Sequence, residues 1–592
     1  MPDNSPLFDY PRPDFKRSRW LSLDGIWDFA FDDAETGERR GWPGAGDFPR
    51  KIHVPFPYQS AASGIGDRGC HPVLWYTRTF RVPEAFGRRR IILNFGAVDF
   101  ECQVWVNGSF IGSHTGGYSP FSFDITELVA AEQDHRLTLK VIDRNDIAQP
   151  RGKQYWKEEN DRCWYTPCSG IWQSVWIEAV PDLHITGLSL MPDIDNSTVS
   201  GLLCLNRIPP EKVELHLTLR CQGKLVRTAA FLVYEADTSF VLSVAGEDAV
   251  DEIHYWTPET PNLYDLESRL VPLGAEERTE AIDEVAVYFG MRKISIRDGR
   301  ILLNNRPLYQ RLVLDQAYWE EGLMTPPSSQ AFREDVERIK ALGFNGVRLH
   351  QKIEAPLFYY WADVKGLLVW GEMPSAYRFC PESCRHILHE WTAFIRRDIN
   401  HPSIICWVPF NESWGVRNIV NNKAQQEFAC SLYHLTKALD GSRLISTNDG
   451  WEQVDSDICT IHDYVRDGPA LAQKLGDLSA LLRGAAQDRM LYAEGFFYHN
   501  QPILITEFGG IAFSRDMDQQ RWGYAGGVSD EKEFLSRLEG LIQAILDCKA
   551  IQGYCYTQLT DLMQEINGLA YMNRSLKIPP AVLEKIFSRS PY

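Results

Sequence analysis

From about residue 291 to the C-terminus, short apolar runs alternate with segments of helical period, and each run stops abruptly on polar residues. The runs cover residues 309–314, 346–349, 367–370, 404–410, 444–447, 458–461, 503–506 and 553–557. Near-continuous apolarity suits strands covered on both faces, which is the condition of a parallel sheet. Between the first two runs, a helix expected over 330–342 puts Phe332, Val336, Ile339 and Leu342 on one face. Eight strands alternating with helices close into a (β/α)8 TIM barrel, and few other arrangements satisfy that pattern.

A barrel of this kind places its chemistry where the strands end. Here the residues after each run are Asp315-Gln316, His350-Gln351, Glu372, Asn411-Glu412, Asn448-Asp449, His462-Asp463-Tyr464, Glu507 and Gln558. Strand-end Asp and Asn often cap the next helix, which accounts for a share of them. Glu412 follows the fourth run and Glu507 the seventh, so the two carboxylates are expected to face each other across the barrel mouth. A carboxylate pair suits acetal hydrolysis: one member stays ionised as nucleophile, and the other, held protonated by its neighbour's charge, is the general acid.

Upstream the period changes to short alternating strands. Residues 1–182 read as an all-β jelly-roll sandwich, with Asn107-Gly108 after Val104-Trp105-Val106 marking a two-residue hairpin. A loop from Arg151-Gly152-Lys153-Gln154 to Trp164-Tyr165 reads either as a sugar-contacting arm toward another domain or as a surface loop with aromatic anchors. Residues 183–290 read as an immunoglobulin-like β-sandwich acting as a rigid spacer, and 291–592 as the barrel.

Composition narrows the function classes. The net charge of −18 disfavours nucleic-acid and anionic-membrane partners. No apolar run approaches 18 residues, and the first eight residues carry no leader pattern, so a cytoplasmic protein is expected. Thirteen Cys without any Cys-x-x-Cys point to free thiols and away from zinc, and no metal or cofactor is expected. Eighteen Trp and 12% aromatic residues suit sugar-stacking platforms, and equally the cores of large sandwiches. Sandwich faces of this extent leave homo-oligomer formation open.

Several motifs occur together: Leu23-Asp24-Gly25-Ile26-Trp27, Val104-Trp105-Val106-Asn107-Gly108, His114-Thr115-Gly116-Gly117-Tyr118, Gly170-Ile171-Trp172, Asn400-His401-Pro402-Ser403-Ile404, Asn411-Glu412-Ser413 and Thr506-Glu507-Phe508-Gly509-Gly510. With them the chain resembles family 2 glycoside hydrolases from end to end. The resemblance implies an exo-acting retaining glycosidase on a carbohydrate substrate, with Glu412 as acid/base, Glu507 as nucleophile and Asn411 on the sugar 2-hydroxyl. It also implies sugar contacts at His350, His462, Tyr464 and Tyr556, with Asp315, Arg348, Glu372 and Trp451 as further candidates; Arg348 could instead orient Glu507. The Asn-x-Lys pair of the family's β-glucuronidases is replaced by Glu565-Ile566-Asn567, and a carboxylate there would repel a uronate. The first expectation is therefore a β-galactosidase. The alternatives are a furanosidase (α-L-arabinofuranosidase or β-galactofuranosidase) and, behind it, a β-glucuronidase, a transglycosylase or a non-catalytic carbohydrate-binding protein.

Overall fold

The structure is a computed structural model and describes residues 9–46, 48–157, 159–245, 253–276, 279–483, 485–486, 489–514 and 522–591. The first eight residues, read above for a leader pattern, lie outside the described residues. The eight apolar runs form one parallel sheet. Its strands are β1 (Gln310–Asp315), β2 (Gly346–Leu349), β3 (Leu368–Glu372), β4 (Ile404–Val408), β5 (Leu444–Ile445), β6 (Cys459–Asp463), β7 (Ile503–Gly509) and β8 (Ile551–Thr557). Ladders run from β5 through β4, β3, β2, β1, β8 and β7 to β6. Side chains close the remaining seam: the Gly450 N–H donates to Thr460 Oγ1 (2.9 Å), and Gln453 Nε2 donates to the Thr460 carbonyl (2.8 Å).

Alternation along each strand sorts the core. Leu312, Leu314, Trp370, Cys406, Val408, Leu504 and Cys555 fill the barrel with Ile294, Ile301 and Leu303 of a preceding three-stranded sheet. Val313, Val347, Val369, Trp407, Ile505 and Tyr554 belong to the outer layer, where they pack with helix residues such as Phe332, Val336 and Ile339. Those three lie on α1 (Ser329–Ala341), the helix expected over 330–342. Trp391 and Phe394 of α2 (Pro381–Asp398) pack on Trp407 with centroids 6.0 and 5.1 Å away. Full burial of each such side chain contributes roughly 2–3 kcal/mol.

Two local departures from the expected pattern have plain causes. The fourth run breaks after Val408 because Pro409 has no N–H for the ladder; pairing resumes at Phe410–Asn411, which lies parallel to Asn448–Asp449. The link from β5 to β6 is a loop, not a helix, since residues 446–458 are dominated by turn formers such as Asn448, Asp449 and Gly450.

The upstream part comprises two antiparallel sandwiches. The first packs a four-stranded sheet on a six-stranded one around Trp27, Phe29, Leu74, Tyr76, Leu93 and Leu139. Its expected hairpin is present: Val106 pairs with Ser109 while Asn107 and Gly108 take φ of 52° and 79°. The second packs a five-stranded sheet on a three-stranded one. The early strand Phe15–Lys16 crosses over to pair with Val287 and Ala286, tying the N-terminal segment to this second sandwich.

The first sandwich docks on the barrel through buried polar contacts. Glu390 of α2 accepts from the N–H groups of Gly117 (2.6 Å) and Tyr118 (3.0 Å). The N–H groups of Arg151 and Gly152 donate to the Ser375 carbonyl beyond β3 (2.9 and 3.0 Å). These contacts bring the 151–165 loop onto the barrel mouth.

Candidate active site

The Pro409 break releases Asn411 and Glu412 from the β4 ladder at the barrel mouth. Glu412 and Ser413 both take left-handed backbone, with φ of 52° and 59°. Such conformations cost about 1–3 kcal/mol each in non-glycine residues and persist only where the surroundings enforce them. Here the Glu412 N–H donates to the Asp449 carbonyl (3.0 Å), the Ser413 N–H to Asn448 Oδ1 (2.9 Å), and the Ser413 hydroxyl to Glu452 (2.6 Å).

Glu507, on β7, is gripped from two sides: Arg348 Nη1 lies 3.1 Å from Oε1, and the Tyr464 hydroxyl donates to Oε2 at 2.6 Å. Arg348 is fully buried and organises the centre. Its Nε donates to Glu372 (2.8 Å), Nη2 to Asn411 Oδ1 (2.6 Å), and Nη1 also lies 2.7 Å from Asp449. Burial opposes its charge, but Asp449, Glu372 and Glu507 outweigh that and hold its pKa well above the ordinary arginine value.

His462 lies between the carboxylates. Nδ1 is 2.8 Å from Glu412 Oε1, Nε2 is 2.9 Å from Asp449 Oδ2, and Nε2 is 3.6 Å from Glu507 Oε1. Ligand-type atoms of Glu412, His462 and Glu507 all fall within 4.8 Å of one another, so the two carboxyl groups approach within that distance. A divalent ion could use such a spacing, but both nitrogens of His462 are already committed to carboxylates.

Burial opposes charge on His462, yet Glu507, Asp449 and Glu412 prevail and lift its pKa to about 10. Burial alone would push Glu412 up; the His462 hydrogen bond and charge, with Lys153 and Arg348, instead hold it below its ordinary value. The direction is opposite to that expected of a general acid kept protonated by its neighbour carboxylate. Glu372, fully buried, is pushed up to about 7 by desolvation.

Of the other residues singled out in the sequence, Asn411, His350 and Trp451 line the same mouth. Asn411 leaves Nδ2 buried without a hydrogen-bond partner among the described residues. His350 Nδ1 lies 3.2 Å from Glu372 Oε1, and desolvation holds the ring neutral, well below the ordinary histidine pKa. Trp451 packs edge-on to His462 at 5.6 Å. Two residues point elsewhere. Tyr556 packs outward against Phe508 and Phe587, because alternation turns Cys555 inward and Tyr556 to the helix layer; its neighbour Thr557 reaches the Tyr464 hydroxyl (3.0 Å) instead. Asp315 turns toward Asp335, Arg574 and Lys352, and accepts from the Ala317 N–H (2.9 Å).

Three contributors were missed. Asp449 stands among the strand-end residues, but its link to Arg348 and His462 depends on the Phe410–Asn411 bridge. Thr557 was hidden by the parity of β8. Lys153 comes from the first sandwich: it is 6% exposed, and its ammonium makes no hydrogen bond or ion pair with another described residue. Burial opposes its charge, but Cys163, Tyr377, Glu565 and Glu412 face it and hold its pKa above the ordinary value. The same loop sends the Tyr165 hydroxyl to Glu565 Oε2 (2.6 Å) and the Trp164 indole N–H to Tyr377 (2.8 Å). Of the two readings left open for this loop, the structure therefore gives the arm that reaches the barrel.

Known proteins share this layout. Family models match three consecutive segments: "Glycosyl hydrolases family 2, sugar binding domain" over residues 20–181, "Glycosyl hydrolases family 2" over 184–292, and "Glycosyl hydrolases family 2, TIM barrel domain" over 294–513. A beta-galactosidase of Thermoanaerobacter pseudethanolicus is 27% identical over 402 residues, covering 66% of this chain and 51% of its own. A putative beta-glucuronidase of Formosa agariphila is 27% identical over 400 residues, covering 62% and 44%. The chain thus spans about half the length of these relatives. A solved β-glucuronidase from Ruminococcus gnavus superposes with a TM-score of 0.77 at 20% identity over 98% of this chain and 99% of its own, a likeness of fold. With all three family models matching in order along one chain, this protein belongs to glycoside hydrolase family 2.

Proposed function

We propose that the protein is a retaining exo-glycosidase, with Glu507 as nucleophile and Glu412 as acid/base. The observation that carries the reading is the approach of the two carboxyl groups to within 4.8 Å. Separations near 5 Å suit a covalent double displacement, whereas inversion needs about 6.5–9.5 Å to admit water between the groups. Glu507, oriented by Arg348 and Tyr464, attacks the anomeric carbon. Glu412 delivers a proton to the departing oxygen, then takes one from the water that releases the sugar. Asn411 Nδ2, buried and without a partner among the described residues, is the donor for the sugar 2-hydroxyl.

For the glycone, a neutral sugar read as β-galactoside is favoured. Glu565 holds a carboxyl in the mouth, bonded by Tyr165 and Asn567 (2.6 and 2.9 Å), that can accept from hydroxyls and would repel a uronate. Lys153 favours a second reading, a β-glucuronide, because its ammonium, without a hydrogen bond or ion pair among the described residues, offers a donor for the sugar carboxylate. A panel of 4-nitrophenyl β-galactoside, β-glucuronide, β-mannoside, α-L-arabinofuranoside and β-galactofuranoside separates these. The β-galactoside is expected to turn over fastest, and a glucuronide preference would replace the first reading with the second. Glu507→Gln should abolish turnover. Glu412→Gln should lower kcat/KM by ~10²–10⁴ on poor leaving groups, and azide should rescue Glu412→Ala on activated ones. If neither Gln variant slows hydrolysis, the assignment is wrong.

A further inference from the structure

His462 is fully buried and both its nitrogens are taken, so it has no donor or acceptor left for a sugar hydroxyl. A neutral imidazole has only one N–H, whereas ionised carboxylates only accept. Contacts of 2.8 Å to Glu412 and 2.9 Å to Asp449 therefore require two protons among the three groups. Asp449 is saturated by other donors, Arg348 Nη1 at 2.7 Å and the Ser446 hydroxyl at 2.9 Å, which keep it ionised. One proton thus sits on the ring toward Asp449, and the second lies in the His462–Glu412 contact.

We propose that His462 stores the catalytic proton: it is a positioning residue that holds Nδ1–H against Glu412 and supplies the proton that Glu412 delivers to the leaving group. This rests on the glycosidase reading above. In the first half-reaction the Nδ1 proton passes to the Glu412 carboxyl, which hands a proton to the glycosidic oxygen. The C1–O bond breaks with its electron pair going to that oxygen, and a Glu507 oxygen bonds to C1. His462 is then neutral, Glu412 ionised and Glu507 an ester. In the second half, water attacks C1, the electron pair of the ester C–O bond returns to Glu507, and the water proton passes through Glu412 back to His462.

The charges around the ring support this cycle. Facing it are Glu412 from the end of β4, Asp449 from the β5–β6 loop, Glu507 from β7, and Arg348 and His350 from β2 and its end. Lys153 faces Glu412 from the first sandwich. Esterifying Glu507 removes one of the anions that hold the proton on His462, in the same step that uses the proton, and hydrolysis restores it. The ring cannot swing away, because it packs against Gly450: a Cβ at that position would lie 2.5 Å from Nδ1.

The test compares His462→Gln with the wild type on two β-galactosides. Methyl β-galactoside needs a protonated leaving group; 2,4-dinitrophenyl β-galactoside does not. The variant should lose kcat/KM on the methyl glycoside by about tenfold or more beyond any loss on the dinitrophenyl one. Its basic limb on the methyl glycoside should also move down by about one pH unit or more. Equal losses on both substrates with an unmoved limb would reduce His462 to a structural role and overturn the proposal. Should the variant fail to fold, ¹⁵N-histidine NMR of the wild type serves instead. One imidazole should stay doubly protonated at pH 8.5 and deprotonate once 2,4-dinitrophenyl 2-deoxy-2-fluoro-β-galactoside has esterified the enzyme. No protonation change on esterification overturns the proposal, whereas failure of the reagent to inactivate tells against the glycosidase or glycone reading itself.

Discussion

Arg348 spans the centre of the molecule's chemistry at the scale of one side chain. It touches Glu372, Asn411, Asp449 and Glu507 with no exposed surface of its own. A buried carboxylate stripped of its cation is costly, so Arg348→Met should destabilise the fold by about 3–5 kcal/mol. It should also release Glu507 and Asn411 from their working orientation, and urea denaturation beside kcat/KM measures both losses. Arginine's planar fork matters as well as its charge, since its three guanidinium nitrogens serve five acceptors: the side chains of Glu372, Asn411, Asp449 and Glu507 and the Thr506 carbonyl. This role was half legible in the sequence: Arg348 could be suspected as an orienting partner of Glu507, but nothing in the residue order shows that it also holds Asn411.

At the scale of elements, the 151–165 loop shows where reading a sequence reaches its end. The eight barrel strands are legible because each is a covered apolar run with a period of its own. Strand ends are legible as positions, yet not as directions: Tyr556 and Asp315 stand where a site residue could, and backbone parity or a local turn points both away from Glu412 and Glu507. Lys153 could not be placed at all from residue order, since it reaches the mouth only because a loop of one domain docks on another. That docking leans on Gly152, which takes φ of 58° and sits so close that a Cβ would meet the Gln351 carbonyl at 2.2 Å. Gly152→Ala should therefore lift the loop and raise KM by about tenfold, equivalent to ~1.4 kcal/mol. Lys153→Ala should raise KM in the same sense, with a smaller effect on the barrel's unfolding midpoint than Arg348→Met, because its ammonium makes no hydrogen bond or ion pair with another described residue.

For the whole molecule, the buried titrating groups set a pH window. Glu390, at the contact between first sandwich and barrel, and Glu372 are both raised to about 7 by desolvation. The folded state therefore binds their protons more tightly than the unfolded chain, and stability falls as pH rises from about 4.5 toward 7. His462, raised to about 10, contributes stability that is fully present below about pH 6.5 and is lost as pH climbs toward 10. Asp449 and Asp440, held low by Arg348 and Arg443 against their burial, lose their contribution as pH falls below about 4. Thermal unfolding followed across pH should thus show its highest midpoint on the acid side of neutrality, with a steep alkaline decline that is shallower in His462→Gln. The chemistry itself rests on Glu412 and Glu507. The most direct test is to inactivate the enzyme with 2,4-dinitrophenyl 2-deoxy-2-fluoro-β-galactoside and map the label by peptide mass spectrometry. The expected result is a single fluoroglycosyl ester on Glu507; an ester on Glu412, or rapid inactivation with the label on another residue, would contradict the account.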